Sequence, residues 1–511
     1  MKRICTLLLA ASMLLGAATG ASAIDFKAKG QWLMGFGVGD ANPIKQYRDK
    51  GASSQTKSNS DDQFQAAQRV RLQLDAVASE SLSGTVYFEI GTSQWGKGEN
   101  GAALGADGTN QIKLKRAYID WAVPDTDAKV RMGIQGVALP NVAGGSAVMD
   151  TDVAGISVNY KFNENVGLTA LWARPLNDNY LDDNNNGRKA NYLDNMDLFS
   201  LMVPLTFDGV NVSPWIMYGM VGKNALKNAY DSKSSAYNSV GTSDGNLPYS
   251  LRPYPGMGAT NKGIGSTGNA YGSAFWAGLP VAITLWDPLN IELDINYGYM
   301  QGMGRFDAIK SNGDVKRSST ERQGWLAKAL VEYKLDWAVP GIFGWYASGD
   351  DGNPKNGSQR MPSVAASGNF TSFIGDGNMG WIRQDYSLTY DGTWGIGAQL
   401  RDMSFLEDLK HTFRVAYWGG TNSTGMVKYM KEAKSWSDGW GNNTGPYLTT
   451  NDGMVEFNLV NSYKIYENLE MNLELDYVVN CMDNSTWKKA DGGSFDKQDM
   501  WKAQVVFAYS F

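Results

Sequence analysis

Arg69 and Arg71 alternate with Val70, Leu72 and Leu74. In an extended segment that spacing puts both guanidinium groups on one face and the aliphatic side chains on the other. Arginine stays charged throughout the physiological pH range, so such a row can orient or select solutes by charge but is poorly suited to proton transfer. Arg116, Lys129 and Arg131 extend the same chemistry further along the chain. Catalysis is sparsely provided for. His411 is the only histidine, and Cys5 and Cys481 are the only cysteines. No serine is marked as its partner in a nucleophilic pair, and no metal cluster or cofactor site is indicated, so neither an enzyme nor a cofactor is expected. Lys and Arg number 46 against 52 Asp and Glu, a net charge of −6, which excludes a nucleic-acid binder. Asp182, Asn184 and Asn186 stand at alternate positions like the first ligands of a calcium loop. The twelfth position is Leu193 where a bidentate Glu belongs, so the segment reads as an acidic surface loop.

The elements that position these charges are strands. Residues 1–23 carry Lys2 and Arg3, an apolar run from Thr6 to Ala18, and Ala21-Ser22-Ala23, the pattern of a cleaved secretory signal peptide. From residue 24 to 511 one domain is expected. Ile291, Leu293, Ile295 and Tyr297 interleave with Glu292, Asp294 and Asn296, and Leu469 to Tyr477 repeats the pattern. Short turns at Ser79 to Ser83, Pro124 to Asp127, Asn163 to Asn165, Phe207 to Gly209, Asp287 to Asn290, Trp337 to Gly341, Phe405 to Lys410 and Tyr466 to Asn468 alternate with long Gly, Asn and Ser-rich segments. Eight turns and nine loops imply eighteen strands, with sixteen as the alternative count. The fold class is therefore all-β: a transmembrane antiparallel up-and-down β-barrel with short periplasmic turns and long extracellular loops. Every backbone group within the hydrocarbon then has a partner and no edge is left open.

Trp501, Ala503, Val505, Phe507, Tyr509 and Phe511 alternate with more polar residues up to the last position, the pattern of a terminal strand that directs barrel assembly. Trp121, Phe162, Trp286, Trp337 and Tyr466 fall at turn ends, and Trp95, Trp172, Trp325, Trp418 and Trp501 near loop ends, as two aromatic girdles require. An arginine facing lipid near mid-membrane costs about 2 to 4 kcal/mol, so Arg69 and Arg71 must face the lumen. At about 3.3 Å per residue and a tilt near 45°, they and Arg116 reach roughly 19 Å above the turn side. Lys129 and Arg131 lie lower.

The third loop, Leu139 to Asp152, is small and apolar. Together with the signal peptide, the turn and loop alternation, the early arginines and terminal Phe511, it resembles that of general trimeric porins. The segments Lys115-Arg116-Ala117-Tyr118-Ile119-Asp120-Trp121 and Arg131-Met132-Gly133-Ile134-Gln135 are similar in particular to the homotrimeric porins of sulfate-reducing bacteria. The resemblance implies a cell outer-membrane protein that forms a water-filled channel for passive diffusion of small hydrophilic solutes and ions. It also implies a homotrimer in contact with outer-membrane lipid and lipopolysaccharide, inserted by the barrel-assembly machinery. Carried onto this chain, the porin constriction sets Asp150 and Asp152 of the third loop opposite Arg69, Arg71 and Arg116. The Pro-Glu-Phe-Gly-Gly motif of such loops is absent, and only Gly144-Gly145 matches. A substrate-specific sugar or organic-acid porin is the alternative, with inward Tyr87 and Tyr118 as candidates for contact. A surface-structural or adhesive β protein is a further one.

Overall fold

The computed structural model describes residues 24–511 apart from 41–42, 48–55, 58–62, 98–102, 104–111, 178–194, 223–250, 252–270, 304, 310–313, 369, 373–389, 430–446 and 492–494. The expected signal peptide and the Asp182, Asn184 and Asn186 segment lie outside the described residues.

One antiparallel sheet dominates, with eighteen staves. They are β1 (Asp25–Asp40), β2 (Gln63–Ser79), β3 (Leu82–Gln94), β4 (Ile112–Ala122), β5 (Ala128–Ala138), β6 (Asp150–Lys161), β7 (Gly167–Asn177), β8 (Asn195–Met202 and Leu205–Phe207), β9 (Val210–Val212 and Trp215–Gly222), β10 (Tyr271–Ile283), β11 (Leu289–Met300), β12 (Arg322–Tyr333), β13 (Val339–Ala347), β14 (Thr393–Leu406), β15 (Leu409–Gly420), β16 (Gly453–Tyr466), β17 (Leu469–Asn480) and β18 (Met500–Ser510). The breaks in β8 and β9 fall at Pro204 and Pro214, which have no N–H for the ladder. Each stave pairs with its sequence neighbour, and β18 also pairs with β1, from Gln31 opposite Ser510 to Asp40 opposite Trp501. The sheet is closed. All eight expected turns separate consecutive staves, and the count is eighteen, not sixteen.

Alternation decides the two faces. On β11, Leu293, Ile295 and Tyr297 are exposed to the outside while Asp294 and Asn296 are buried within. A wall with apolar residues outward and polar residues inward is stable only in a bilayer. Trp121, Phe162, Trp286, Trp337 and Tyr466 are all exposed at the turn ends, as a girdle requires. At the loop ends Trp95 and Trp325 are exposed too, and Trp325 stacks on Tyr346 with centroids 5.3 Å apart. Trp418 departs from the expectation: it is fully buried, paired opposite Gly395 and Met454, and faces inward. Its neighbour Tyr417 takes the outward position, one residue of parity deciding between them.

Terminal Phe511 folds onto β1. Its backbone exchanges hydrogen bonds with Gly30 at 2.9 and 3.1 Å, and its ring lies 6.2 Å from Trp32 and 5.9 Å from Tyr509. A Cβ at Gly30 would meet that ring at 2.6 Å, so the close approach of Phe511 requires the glycine.

Candidate functional site

The third loop enters the lumen. Leu139, Ala143, Val148 and Met149 are buried in one cluster with inward residues of β7 to β11, including Leu171, Leu198, Met217 and Trp276. The loop reaches the far wall, where Lys328 of β12 donates to the Gly145 carbonyl and Tyr390 donates to that of Gly144 at 2.5 Å. Gly144 and Gly145 have φ of 60° and 82°, a left-handed conformation that favours glycine and aims both carbonyls at these donors. The small apolar composition of the loop thus reflects packing inside the barrel.

A second loop, between β13 and β14, folds inward as well, although its sequence reads only as a turn-rich surface loop. It pairs with the third loop at Ser146 with Ser367 and at Met149 with Ala365. Inward tryptophans on the wall fasten both. Trp215 Nε1 donates to the Pro140 carbonyl at 3.0 Å, and Trp276 Nε1 donates to the Pro362 carbonyl at 2.9 Å. Room for these indoles comes from glycines on adjoining staves: a Cβ at Gly278 would meet Trp215 at 2.3 Å. A buried ionic cluster holds the loop's root. Asp391 accepts from Arg322 at 2.6 Å and from Arg360 at 2.7 Å, and Asp350 accepts from Ser358 at 2.6 Å and Tyr447 at 2.8 Å. Burial pushes the Asp350 carboxyl above the usual range, against the pull of the Arg360 charge.

What remains open runs along β1 to β6. Register places Arg69 and Arg71 opposite Leu33 and Gln31, on the same face as the inward Gly35 and Gly37. Arg71 pairs with Glu89 of β3 at 2.8 Å. Arg131 donates to Asp120 of β4 at 2.6 and 2.8 Å and lies 4.0 Å from the Tyr118 ring centroid. Lys129 is exposed, two residues nearer the turn. Tyr87 and Tyr118 share the inward face with these charges, since Tyr87 pairs opposite Gln73 and Tyr118 opposite Thr85.

Asp150 and Asp152 do not lie across the lumen from Arg69 and Arg71. The loop ends at Met149, so both acids belong to the wall as the first residues of β6. They alternate with Thr151 and buried Val153, in step with Ala154 and exposed Ile156. Asp150 is itself exposed. Asp152 instead collects Arg116 at 2.5 Å and Lys115 at 2.5 Å. These two charges hold its carboxyl in place. Pairing of β4 with β5 stops at Ala117 opposite Ile134, and Arg116 leans over β5 to reach β6. Gly136 makes that crossing possible, because a Cβ there would meet the guanidinium carbon at 2.6 Å. Of the expected cluster, the structure therefore joins Arg116 with Asp152 and leaves Arg69 and Arg71 on a separate part of the wall.

The rest of the wall, from β11 round to β18 beside β1, carries a ladder of paired charges. Lys502 lies 2.8 Å from Glu474 and 3.2 Å from Asp476, and Gln504 donates to Glu474 at 2.9 Å. Lys328 lies 3.1 Å from Asp294, and Arg401 binds Glu332 at 2.5 Å. Acids predominate here, with Glu292 and Glu456 added. Sequence reasoning missed this ladder, though its signal was present as charged residues at the inward positions of β11 and β17.

A closed antiparallel wall with an apolar outer surface and loops fastened inside it defines a membrane-spanning β-barrel. No family model matches the sequence, and no curated protein matches it. Among solved structures the chain is similar to OpdQ of Pseudomonas aeruginosa (11% identity, 95% of this chain and 98% of that one, TM-score 0.47). It is similar also to OccK8 (OprE) of the same organism (10% identity, 95% and 98%, TM-score 0.48). A third, OpdK with vanillate, has 10% identity over 95% and 98% of the two chains, with a TM-score of 0.47. The class itself rests on this chain's own strand pairing and outer surface.

Proposed function

We propose that the protein is an outer-membrane porin whose lumen passes small hydrophilic solutes and ions by passive diffusion. The observation that carries this reading is the division of the lumen. Pinned loops fill one side, and on the other a polar strip with Arg69, Arg71, Lys129 and Arg131 stays accessible. Fixed bases on that strip and the acids carried by β11 to β18 set up a field across the lumen that orients dipolar solutes and hinders apolar ones. A homotrimer, contact with lipopolysaccharide, and recognition of Phe507, Tyr509 and Phe511 by the assembly machinery belong to the same reading. Selectivity for one solute class is the second reading, favoured by the extent to which the two inward loops occupy the lumen.

Single-channel recording of the purified protein in planar bilayers tests both. Stepwise conductance, in units of three for a trimer, supports the porin. Saturable block by one sugar or organic acid selects the second reading. An absence of conductance, with extraction into the soluble fraction without detergent, overturns both in favour of a surface-structural protein.

A further inference from the structure

The outer face of the wall changes character round its loop end. Beside β1 and β3, and again from β12 to β15, outward aromatics pair up there: Phe36 meets Trp95 with centroids 5.2 Å apart, Trp325 meets Tyr346 at 5.3 Å, and Trp394 meets Tyr417 at 5.4 Å. From β4 to β8 charges take their place. Asp152 keeps step with exposed Ile156 and Val158, and Asp197 with exposed Phe199 and Leu201, so both carboxylates lie on the outward face. Each gathers cations. Lys115 and Arg116 lie 2.5 Å from Asp152, with the Arg116 guanidinium over Gly136, and Arg174 binds Asp197 at 2.8 and 3.0 Å while Trp172 donates to it at 2.8 Å. A bulge makes the first group possible: register between β3 and β4 shifts at Tyr87 and Phe88, and Lys115 is the extra residue. Register also sets the groups side by side, with Trp172 opposite Ile156 on one flank and Phe199 on the other. The cations overhang the acids. Side-chain exposure is 24% for Lys115, 37% for Arg116 and 33% for Arg174, against 18% for Asp152 and 17% for Asp197. With exposed Lys113 and Asp150 at the rim, four cations stand against three carboxylates. At about 3.3 Å per residue and a tilt near 45°, Arg116, Arg174 and Asp152 stand roughly 19 to 25 Å above the turns, the upper edge of an apolar band about 25 Å tall.

We propose that this sector of the outer wall seats the phosphate of an anionic lipid in the leaflet on the loop side. At that depth an outward residue meets headgroups rather than hydrocarbon, and a surplus of guanidinium and ammonium groups is answered there by lipid phosphate. Arg116 and Arg174 are held by their carboxylates, so two planar donors are presented in fixed directions with a flexible ammonium beside them. Nearer the turns on the same face, Ala154, Ile134 and Ile156 give the acyl chains an apolar wall. A zwitterionic headgroup would leave the surplus charge unanswered. A second copy of the chain docked here would take these charges out of water and headgroups alike, at a desolvation cost that ion pairs rarely repay. The seat rests on the outer-membrane reading above and gives its lipid contact a place and a chemistry.

The test is retention of phosphatidic acid by the detergent-solubilised protein, counted by native mass spectrometry, with phosphatidylcholine of the same chains as control and inorganic phosphate as competitor. Wild type is expected to retain phosphatidic acid at about tenfold lower concentration than phosphatidylcholine, and Lys115→Gln with Arg174→Gln to lose most of that preference. Equal retention of the two lipids by wild type, or an unchanged preference in the double variant, would overturn the seat and leave the porin standing. Displacement of the lipid by equimolar inorganic phosphate would overturn it in favour of a free-anion site. Dissociation of an oligomer in the variant, with lipid preference unchanged, would overturn it in favour of a contact between copies. No conductance from wild type in planar bilayers, with a protein that stays soluble without detergent, would overturn the porin and the seat together. The shift between heated and unheated bands on a gel checks that the variant folds. If it does not, Lys115→Gln alone, which leaves Arg116 on Asp152, is read in the same way.

Discussion

Trp276 of β10 holds the loop between β13 and β14 by one hydrogen bond, from its indole nitrogen to the carbonyl of Pro362, 2.9 Å away and eighty-six residues further along the chain. Burial of the ring gives the bond its setting. Trp276→Phe keeps most of the apolar contact and removes the donor, leaving a buried carbonyl unpaired at a cost of about 1 to 3 kcal/mol. The expected outcome is a looser loop, read as increased open-channel noise and a larger mean conductance with the barrel still folded.

Lys328 is fully buried and faces Asp294, also fully buried, while its ammonium also holds the third loop at Gly145. Lys328→Met removes the cation and strands a carboxylate. Breaking a buried pair on one side costs about 3 to 5 kcal/mol, whereas Lys328→Met combined with Asp294→Leu recovers much of that loss. Urea unfolding in detergent, followed by tryptophan fluorescence, checks the difference between single and double variants.

Arg69→Ala with Arg71→Ala is expected to raise cation preference in a reversal-potential measurement. Two unit charges 10 Å apart in water interact by only about 0.4 kcal/mol, so either single replacement should shift the potential less than both together. An unchanged potential in the double variant would remove these arginines from the permeation path.

Gly30→Val places a side chain where the Phe511 ring lies, 2.6 Å from the Cβ position. The ring must leave, taking its contacts with Trp32 and Tyr509 with it. Slower acquisition of the heat-modifiable folded band during refolding into lipid is expected, with Phe511→Ala giving a similar delay and the two together adding little.

Asp483 caps the helix Asn484–Asp491, accepting from the Ser485 and Thr486 backbone N–H groups at 3.2 and 2.9 Å. Hydrogen bonds from the Thr486 and Ser485 side chains and backbone hold its carboxyl down at about 2, from the usual 3.8. A depressed carboxylate stabilises the fold fully above its unfolded value and stops doing so as pH falls through its folded value. The cap is therefore expected to weaken between about pH 4 and pH 2. Amide exchange at Ser485 and Thr486 reads it directly, and Asp483→Asn should remove most of the pH dependence.

Most of the architecture was legible because each kind of evidence in the sequence was local. Turn residues marked the eight hairpins, and alternation gave each stave its faces, so Arg69 and Arg71 could be placed inward from their neighbours alone. Residues whose position depends on distant partners were not legible. The parity of Trp418 is set by Gly395 and Met454, and Asp152 moved to the wall because the third loop ends three residues earlier than its composition suggested. Glu89 and Asp120, the acids that answer Arg71 and Arg131, stood at inward positions of adjoining staves and could have been found by pairing register. Nothing in the loop between β13 and β14 announced its inward path, since the carbonyls that fasten it are backbone groups carried by every sequence.

The first stave is hydrogen-bonded to the last across ten residue pairs, from Gln31 with Ser510 to Asp40 with Trp501. Every other neighbour in the wall is close in sequence, so hairpins can form progressively, whereas this seam joins the two ends of the sheet and waits for all the rest. Until it forms, β1 and β18 are both bare edges in a nearly complete cylinder, able to pair with any strand that presents itself. The order of assembly is thus written into the topology: the cylinder is sealed in the membrane only when the last stave meets the first.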